Sequence, residues 1–249
     1  MHKDVPQASR AVGSAGLSVG QMFDRIAPTY DLLNHLLSLG RDFSWRRRTA
    51  QELGRGEGLK VIDLATGTGD LLISLLRAHN GIARMVGLDV SENMLGLCRA
   101  KLRRCELAER VELLCGDASA TPLPEGTFDA ATMGFGIRNT ADAAKTLREI
   151  HRILRSGGTV LILEFSLPRG RVLRWCYLKY LRRVVPLIGA LISADRRAYR
   201  YLNQSIEGFY QAADFSALMR EAGFRDVSVL PLTFGVASIY KGVKGPVGE

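Results

Sequence analysis

The 249-residue chain is poor in cysteine and histidine and has no long uncharged apolar run. Its four cysteines, Cys98, Cys105, Cys115 and Cys176, show no CxxC spacing and no paired histidine. That excludes a zinc finger or ribbon and a disulfide-built miniprotein, and it suits free thiols in a reducing compartment. The four histidines, His2, His35, His79 and His151, are scattered, so no metal site is expected. The most apolar long stretch, Val172–Ile192, carries Arg174, Lys179, Arg182 and Arg183 and a central Pro186. A spanning helix needs about 20 mostly uncharged apolar residues, and this stretch fails that requirement. There is no GxxxxGK[ST] loop, and the third glycine of a GxGxxG fingerprint would fall at Leu72. Both absences argue against nucleotide hydrolysis and against a dinucleotide cofactor. Residues 1–20 lack the apolar core of a secretory signal; they are small and polar, and the expectation is a disordered segment.

What is present is an ordinary globular composition, 47% apolar and 24% charged, at a length that suits one large α/β domain. The net charge of +9 is uneven. Residues 1–60 carry +3, residues 61–166 carry −1 and residues 167–249 carry +7. Nine basic residues and one acid, Asp195, fall within 169–200. Such a segment reads either as a solvated basic face or as a surface for phosphate, nucleic acid or anionic lipid.

Short apolar runs without alternation, at Lys60–Ala65, Arg84–Val90, Val111–Leu114, Phe128–Met133 and Thr159–Phe165, predict strands buried on both faces. Helical stretches separate them: Asp70–Arg77, a segment capped by Ser91 and running to about Arg104, and Ala141–Leu154 with Gly157-Gly158 as its stop. Met22–Leu39 and Phe43–Leu53 predict two leading helices. Val172–Val185 and Ala213–Ala222 predict two later ones, with closing strands at Val227–Leu230 and Val236–Lys241. This alternation predicts an α/β fold with a mostly parallel sheet and helices on both faces.

Ligands of such sheets sit at the carboxyl ends of the strands. The first strand ends in Asp63-Leu64-Ala65-Thr66-Gly67-Thr68-Gly69, a turn whose glycines permit close backbone approach. Asp89 ends the second strand, where a carboxylate can accept both hydroxyls of a ribose. Asp117, after Gly116, ends the third and could accept from an adenine amino group. Three such strand ends in order describe an adenosine pocket without a phosphate fingerprint.

On these residues the chain resembles the class I S-adenosylmethionine-dependent methyltransferases: DLATGTGD (63–70) resembles their first motif, and GDASATPLPEGTFD (116–129) the stretch between their third and fourth strands. More specifically, MFDRIAPTYDLLNHLLSLGRDFSW (22–45), GFGIRN (134–139), HRILRSGGTVLILEFS (151–166), AYRYLNQSI (198–206) and LTFGVASIYKG (232–242) resemble the ubiquinone/menaquinone biosynthesis C-methyltransferases, from about Met22 to Lys244. The chain departs from that pattern at Asp42, where histidine is usual, at Arg155-Ser156, at Gly134 and at Phe234, where a glycine is usual.

The resemblance implies a seven-stranded Rossmann-like sheet with its last strand antiparallel. It also implies a single domain over 21–249, with a helical cap (21–53) and a basic amphipathic insertion (169–210). It places Asp63, Thr66, Gly67, Gly69, Asp89, Asp117 and Ala118 on the cofactor, S-adenosylmethionine, with Asp63 toward its ammonium group. The acceptor implied is a ring carbon of a prenylated quinol, with demethylmenaquinol to menaquinol as the first expectation. The sequence leaves the choice of benzoquinol or naphthoquinol open. A phenol of pKa about 10 must lose its proton to activate that carbon. Arg138 is the expected phenolate-facing cation, acting through a water, and Asn139 is expected to orient the quinol oxygen. Tyr30 and Tyr201 are acceptor-side candidates. Met133-Gly134-Phe135-Gly136 stands where enzymes acting on planar amines carry an Asn/Asp-Pro-Pro-aromatic stretch, so such substrates are disfavoured. The basic segment is expected at the inner face of the cell membrane of a cytoplasmic enzyme. The alternatives are packing on the domain or on a second subunit of a homodimer. Nucleic acid is not expected as a partner, because the cations are interleaved with aliphatic residues. A polyketide, sterol-like or other phenolic acceptor, and a non-catalytic binding module, stay open at this point.

Overall fold

The unalternating apolar runs form parallel strands in the computed structural model, which describes Asp24, Ala27, Asp31, Asn34, His35 and residues 38–185 and 203–246. The expected disordered residues 1–20, Tyr30 and Tyr201 lie outside the described residues. In chain order the elements are α1 (Arg41–Gln51), β1 (Leu59–Leu64), α2 (Asp70–Ala78), β2 (Ile82–Asp89), α3 (Glu92–Arg104), β3 (Val111–Cys115) and β4 (Phe128–Gly134). They continue with α4 (Ala143–Ile153), β5 (Leu154–Phe165), α5 (Arg171–Lys179), α6 (Ala212–Glu221), β6 (Phe224–Leu232) and β7 (Ala237–Lys244).

The seven strands form one sheet in the order β3-β2-β1-β4-β5-β7-β6. Only β7 runs against its neighbours, pairing antiparallel with both β5 and β6. The expected architecture is thus the observed one. The chain crosses the sheet between β3 and β4, which leaves a crevice at the carboxyl ends of β1 and β4, the strands on either side of the reversal. Alternate residues of β1 feed opposite layers. Val61 joins Trp45, Leu72, Leu75 and Leu76 on one face. Ile62 and Leu64 join Leu147, Ile150, Phe215 and Met219 on the other.

Local signals explain most boundaries. The Ser91 hydroxyl accepts from the Met94 N–H at 3.1 Å and starts α3, and Gly223 at φ 101° ends α6. One expectation is corrected. Gly157-Gly158 does not stop a helix; α4 ends at Ile153 and β5 begins at once. Leu154 opposes Phe128 while Thr159 opposes Ala130, so the glycine pair forms a bulge inside the strand. Gly157 takes φ 77°, which a bulge tolerates and most residues resist. The helix over Val172–Val185 also departs from expectation: it widens into a π-helical turn over Tyr180–Val184.

Gly69 caps α2 at φ 87°, and a Cβ there would lie 2.5 Å from the Cys98 sulfur of α3. The glycine therefore sets how closely the two helices approach. Gly69→Ala should destabilise the protein by about 2–4 kcal/mol in urea unfolding, from backbone strain plus overpacking. Adding Cys98→Ala should recover the packing part only. Full recovery, or none, would contradict this account.

Candidate active site

β1 delivers Asp63 to the crevice with 1% of its surface exposed. Its two carboxylate oxygens accept from the hydroxyls of Thr66, at 2.7 Å, and Thr132, at 2.5 Å. One carboxylate thus ties β1 to the following turn and to β4. Burial pushes its pKa up to about 6, against those two hydrogen bonds and the nearby Arg46 charge. The turn itself is unusual. Ala65 takes φ 50°, a left-handed conformation that favours glycine. A Cβ on Gly136 would meet the Ala65 methyl at 2.7 Å, so the GFG sequence after β4 makes room for the alanine after β1.

Asp89 is held across the turn. Its Oδ2 accepts from the Gly67 N–H at 2.8 Å and its Oδ1 from the Ser91 N–H at 2.9 Å. Burial nonetheless raises its pKa above the usual carboxylate value. Asp117 stands exposed at the end of β3, with Oδ1 accepting from the Ser119 N–H at 2.7 Å, beside the buried Ala118. The structure therefore brings Asp63, Thr66, Gly67, Gly69 and Asp89 around one turn and places Asp117 and Ala118 on the adjoining strand end.

The loop after β4 carries the second group. Phe135 takes φ 56°, and its carbonyl accepts from Arg138 Nη1 at 2.6 Å and Asn139 Nδ2 at 3.1 Å. Arg138 is an inward-facing cation, with its side chain 3% exposed. Its Nη1 donates to Glu164 Oε1 at 2.6 Å, and the guanidinium lies over the Phe165 ring, 5.3 Å from the centroid. Burial pushes the Glu164 pKa up, opposed by the Arg138 charge and the Phe165 N–H. Asn139 does not cap the next helix; Asp142 does, accepting from the Lys145 N–H at 2.9 Å. Beyond Arg138 a cavity of about 460 Å³ is lined by Ile137, Arg138, Thr140, Arg148, Phe209 and Tyr210, among others.

Several residues at the crevice are not among the expected site residues. Arg46 of α1 borders a cleft with Asp63, Ala65, Thr66, Gly67, Asp70, Gly134 and Phe135. It pairs with the buried Asp42, which also accepts from Ser38 and meets His35. Burial alone would raise the Asp42 carboxyl; the Ser38 hydrogen bond and the Arg46 charge hold it below its usual value. From the leading segment, Asp31 accepts from the Thr68 hydroxyl at 2.6 Å and pairs with Lys101 at 2.6 Å. Asp24 accepts from the Ser91 hydroxyl. These acids belong to the stretch expected as a helical cap, and they sit against the glycine turn. Only partners distant in the chain reveal their place; the 22–45 stretch that resembles the family is the sequence signal that covers the acids.

The raised Asp63 pKa has a definite sign. A carboxylic acid with a raised folded pKa contributes stability that is full below about 4 and lost as pH rises through about 6. Asp63→Asn should therefore gain on the parent between pH 4 and 7, by up to about 3 kcal/mol for a shift of about two units. Thermal or urea unfolding across that range checks this; a pH-independent difference between the two proteins would contradict it.

Comparison with known proteins agrees with this geometry. A model of the ubiE/COQ5 methyltransferase family matches residues 11–244. The chain is 43% identical over 230 residues to the ubiquinone/menaquinone biosynthesis C-methyltransferase UbiE of Geobacter sulfurreducens, covering 92% of this chain and 90% of that one. It is 45% identical over 221 residues to the demethylmenaquinone methyltransferase of Thermus thermophilus, covering 89% and 99%. Among solved structures, the Haemonchus contortus phosphoethanolamine N-methyltransferase 2, in complex with phosphomonomethylethanolamine and S-adenosylhomocysteine, superposes with a TM-score of 0.67. At 16% identity, covering 92% of this chain and 61% of that one, it shares the fold. A turn closed on a buried Asp63, the paired loop after β4 and a family match over residues 11–244 lead to one placement: the chain belongs to the ubiE/COQ5 methyltransferase family.

Proposed function

We propose that this protein transfers a methyl group from S-adenosylmethionine to a ring carbon of a prenylated quinol, with demethylmenaquinol as the first substrate to test. The observation that carries the reading is the placement of the Asp63–Thr66–Gly67–Asp89 turn beside the loop that holds the Arg138–Glu164 pair. The names of the relatives from Geobacter sulfurreducens and Thermus thermophilus support the acceptor class.

The residues present fit the methyl donor. Asp63 offers a buried carboxylate to an ammonium group. Asp89 offers one to ribose hydroxyls, in exchange for or alongside the Gly67 and Ser91 N–H groups it holds. Ala118, buried at the end of β3, supplies an apolar wall for a purine, with Asp117 at its edge. The donor supplies a methyl already activated on sulfur, so the protein has to orient and deprotonate the acceptor.

The phenolic proton passes to a water, and Arg138 is suited to stabilise the phenolate that is left. Arg138 is among the residues that line the cavity beyond the loop, and Glu164 and the Phe135 carbonyl fix its guanidinium. A fixed cation of this kind stabilises a phenolate without reorganising during the reaction, an effect commonly worth about 10²–10³-fold in rate. Loss of the phenolic proton raises electron density at the ortho and para ring carbons; the carbon that takes the methyl leaves S-adenosylhomocysteine behind and then releases its own hydrogen as a proton to water, which restores the aromatic quinol. The oxidised quinone lacks that electron density and should be inert. Asn139, turned to the Phe135 carbonyl, fixes the loop's shape and with it the position of Arg138. Asp42, one of the departures from the family pattern, is committed to Arg46 and His35, so it gives no ground for a different acceptor.

The acceptor's prenyl tail makes a membrane the expected location of the reaction. No helix among the described residues is long and apolar enough to cross one. α5 instead exposes Val172 (78%), Trp175 (58%) and Leu173 (39%) together with Arg171, Arg174 and Lys179, whose ammonium lies 3.6 Å from the Trp175 ring centroid. Phe234, between β6 and β7, is 86% exposed at φ 57°, in a turn whose Gly235 lies against Pro168 and Arg169. Exposed aromatics rimmed by cations suit an interface of anionic lipid.

Two measurements test this reading. Given radiolabelled methyl donor, the protein should label chemically reduced demethylmenaquinol and leave its oxidised form unlabelled. Arg138→Lys, which keeps a charge opposite Glu164 but loses the fork, should lower kcat by about 10²-fold with little change in donor binding. Labelling of the quinone equal to the quinol would refute the mechanism. In vesicle sedimentation, the protein should bind phosphatidylglycerol-containing vesicles more than neutral ones, and less as salt rises. Phe234→Gly should weaken that binding without lowering Tm, because glycine relieves the left-handed strain. Equal binding of parent and variant would remove Phe234 from the contact.

A further inference from the structure

We infer that Tyr177 is a catalytic residue of the proposed reaction: its hydroxyl donates a hydrogen bond to the acceptor oxygen that ionises, beside Arg138. The inference rests on the acceptor reading above and adds to it a residue from outside the loop after β4.

Burial and bonding single this side chain out. Tyr177 of α5 is only 9% exposed. A tyrosine so deeply placed ordinarily finds a partner for its hydroxyl. Among the described residues this one has none, yet its oxygen is not one of the polar atoms sealed from solvent. A phenylalanine would fill the same space without the penalty of drying a hydroxyl. The hydroxyl thus opens on accessible space with its bonding capacity unused.

Its surroundings are those of the acceptor chemistry. Tyr177 belongs to the layer that holds Trp45, Phe135 and Phe165. Those three rings form one aromatic wall, with Phe135 and Phe165 4.6 Å apart and Trp45 edge-on to Phe165 at 6.0 Å. The Arg138 guanidinium lies over Phe165 of that wall. The charges of Arg138 and Glu164 both act on the Tyr177 phenol, so the three groups share one neighbourhood. The helix is also fixed in place. Tyr177, Leu181 and Val185 are all buried, and at the π-helical turn the Asn203 side chain donates to the Leu181 carbonyl at 2.5 Å.

Charge explains why Arg138 needs a second donor. Glu164 has no exposure and takes Arg138 Nη1, so the pair as a whole is close to neutral. A phenolate beside it gains less than it would from an unpaired cation. A neutral O–H donor adds stabilisation that does not depend on that charge, and its bond to an anionic oxygen is about twice as strong as one to a neutral oxygen. Burial, joined by Tyr180 and Glu164 and opposed by Arg138, pushes the Tyr177 pKa above its ordinary value. Tyr177 therefore stays protonated, a donor rather than a base. It moves no proton: the phenolic proton still passes to water, the methyl moves from sulfur to carbon, and the ring hydrogen leaves as a proton to water.

The test is Tyr177→Phe, which removes one oxygen and keeps the ring. Single-turnover methylation of anaerobically reduced demethylmenaquinol, with radiolabelled S-adenosylmethionine already bound, is followed from about pH 6 to about pH 10, the range below and up to the pKa of a free phenol. In the parent the rate should rise with pH and level off as the bound phenol ionises. Tyr177→Phe should lower the rate about 10- to 100-fold at neutral pH, the range for a hydrogen bond to a charged group. It should move the rise upward by about one to two pH units, and the two rates should converge above it, where the acceptor ionises without help. Calorimetric binding of S-adenosylhomocysteine and Tm should stay at the parent's values, because the hydroxyl holds nothing in the fold. An equal loss at every pH, or a lowered Tm, would overturn the inference and make the hydroxyl a structural support. A parent that methylates no quinol would overturn the acceptor reading, and this inference with it. An active parent whose variant keeps the same rate and pH profile would overturn this inference alone.

Discussion

A carboxylate placed inside the protein at the end of β1, an interior strand, organises the site. Asp63 has almost no contact with solvent, so each of its oxygens must be satisfied by the protein, and they are, by Thr66 and Thr132. Those two hydroxyls come from the turn after β1 and from β4, the strands that flank the reversal in sheet order. The crevice is therefore shaped by one buried polar group rather than by loop packing alone. Ala65 in a left-handed conformation and Gly136 beneath it follow from the same geometry, since a turn drawn back toward Asp63 brings the two loops within a methyl group of each other.

Around this centre the charges are arranged in buried pairs. Arg46 with Asp42 and Arg138 with Glu164 each place a guanidinium inside the protein against a carboxylate with little or no exposure. Pairs of this kind contribute little to net stability, because desolvation offsets much of the attraction. What they supply is position. Each fixes a planar donor group at the edge of the crevice, one on the β1 side and one beyond the loop after β4. The fold thus holds two cations beside the crevice, and neither is left to sample solvent.

The sheet was legible in the sequence because parallel strands buried on both faces leave a plain signature of short apolar runs, and the glycine turn because few residues tolerate its backbone. Asp63, Asp89 and Asp117 could be placed at strand ends for the same reason. Ser91 announced its helix through a cap that needs only three residues. The Gly157-Gly158 pair reads as a helix stop because a helix stop and a strand bulge ask for the same left-handed freedom; only the pairing of Leu154 with Phe128 distinguishes them. Arg46 and Glu164 were not legible as site residues. Glu164 meets Arg138 across 26 positions of sequence, and a lone arginine in a run of three looks like a solvated face until the fold turns one of them inward.

The contact between Gly69 and Cys98 has a chemical consequence apart from packing. A sulfonium methyl donor is an alkylating agent, and soft thiolates are among its readiest targets. Cys98 lies directly beneath the turn that the donor would occupy, a position in which a reactive sulfur would invite self-modification. Burial, reinforced by the nearby Asp63 charge, pushes its pKa up to about 12, so the sulfur stays a neutral thiol across the physiological range. The same dry, acid-lined surroundings that shape the turn thus also passivate the thiol packed beneath it.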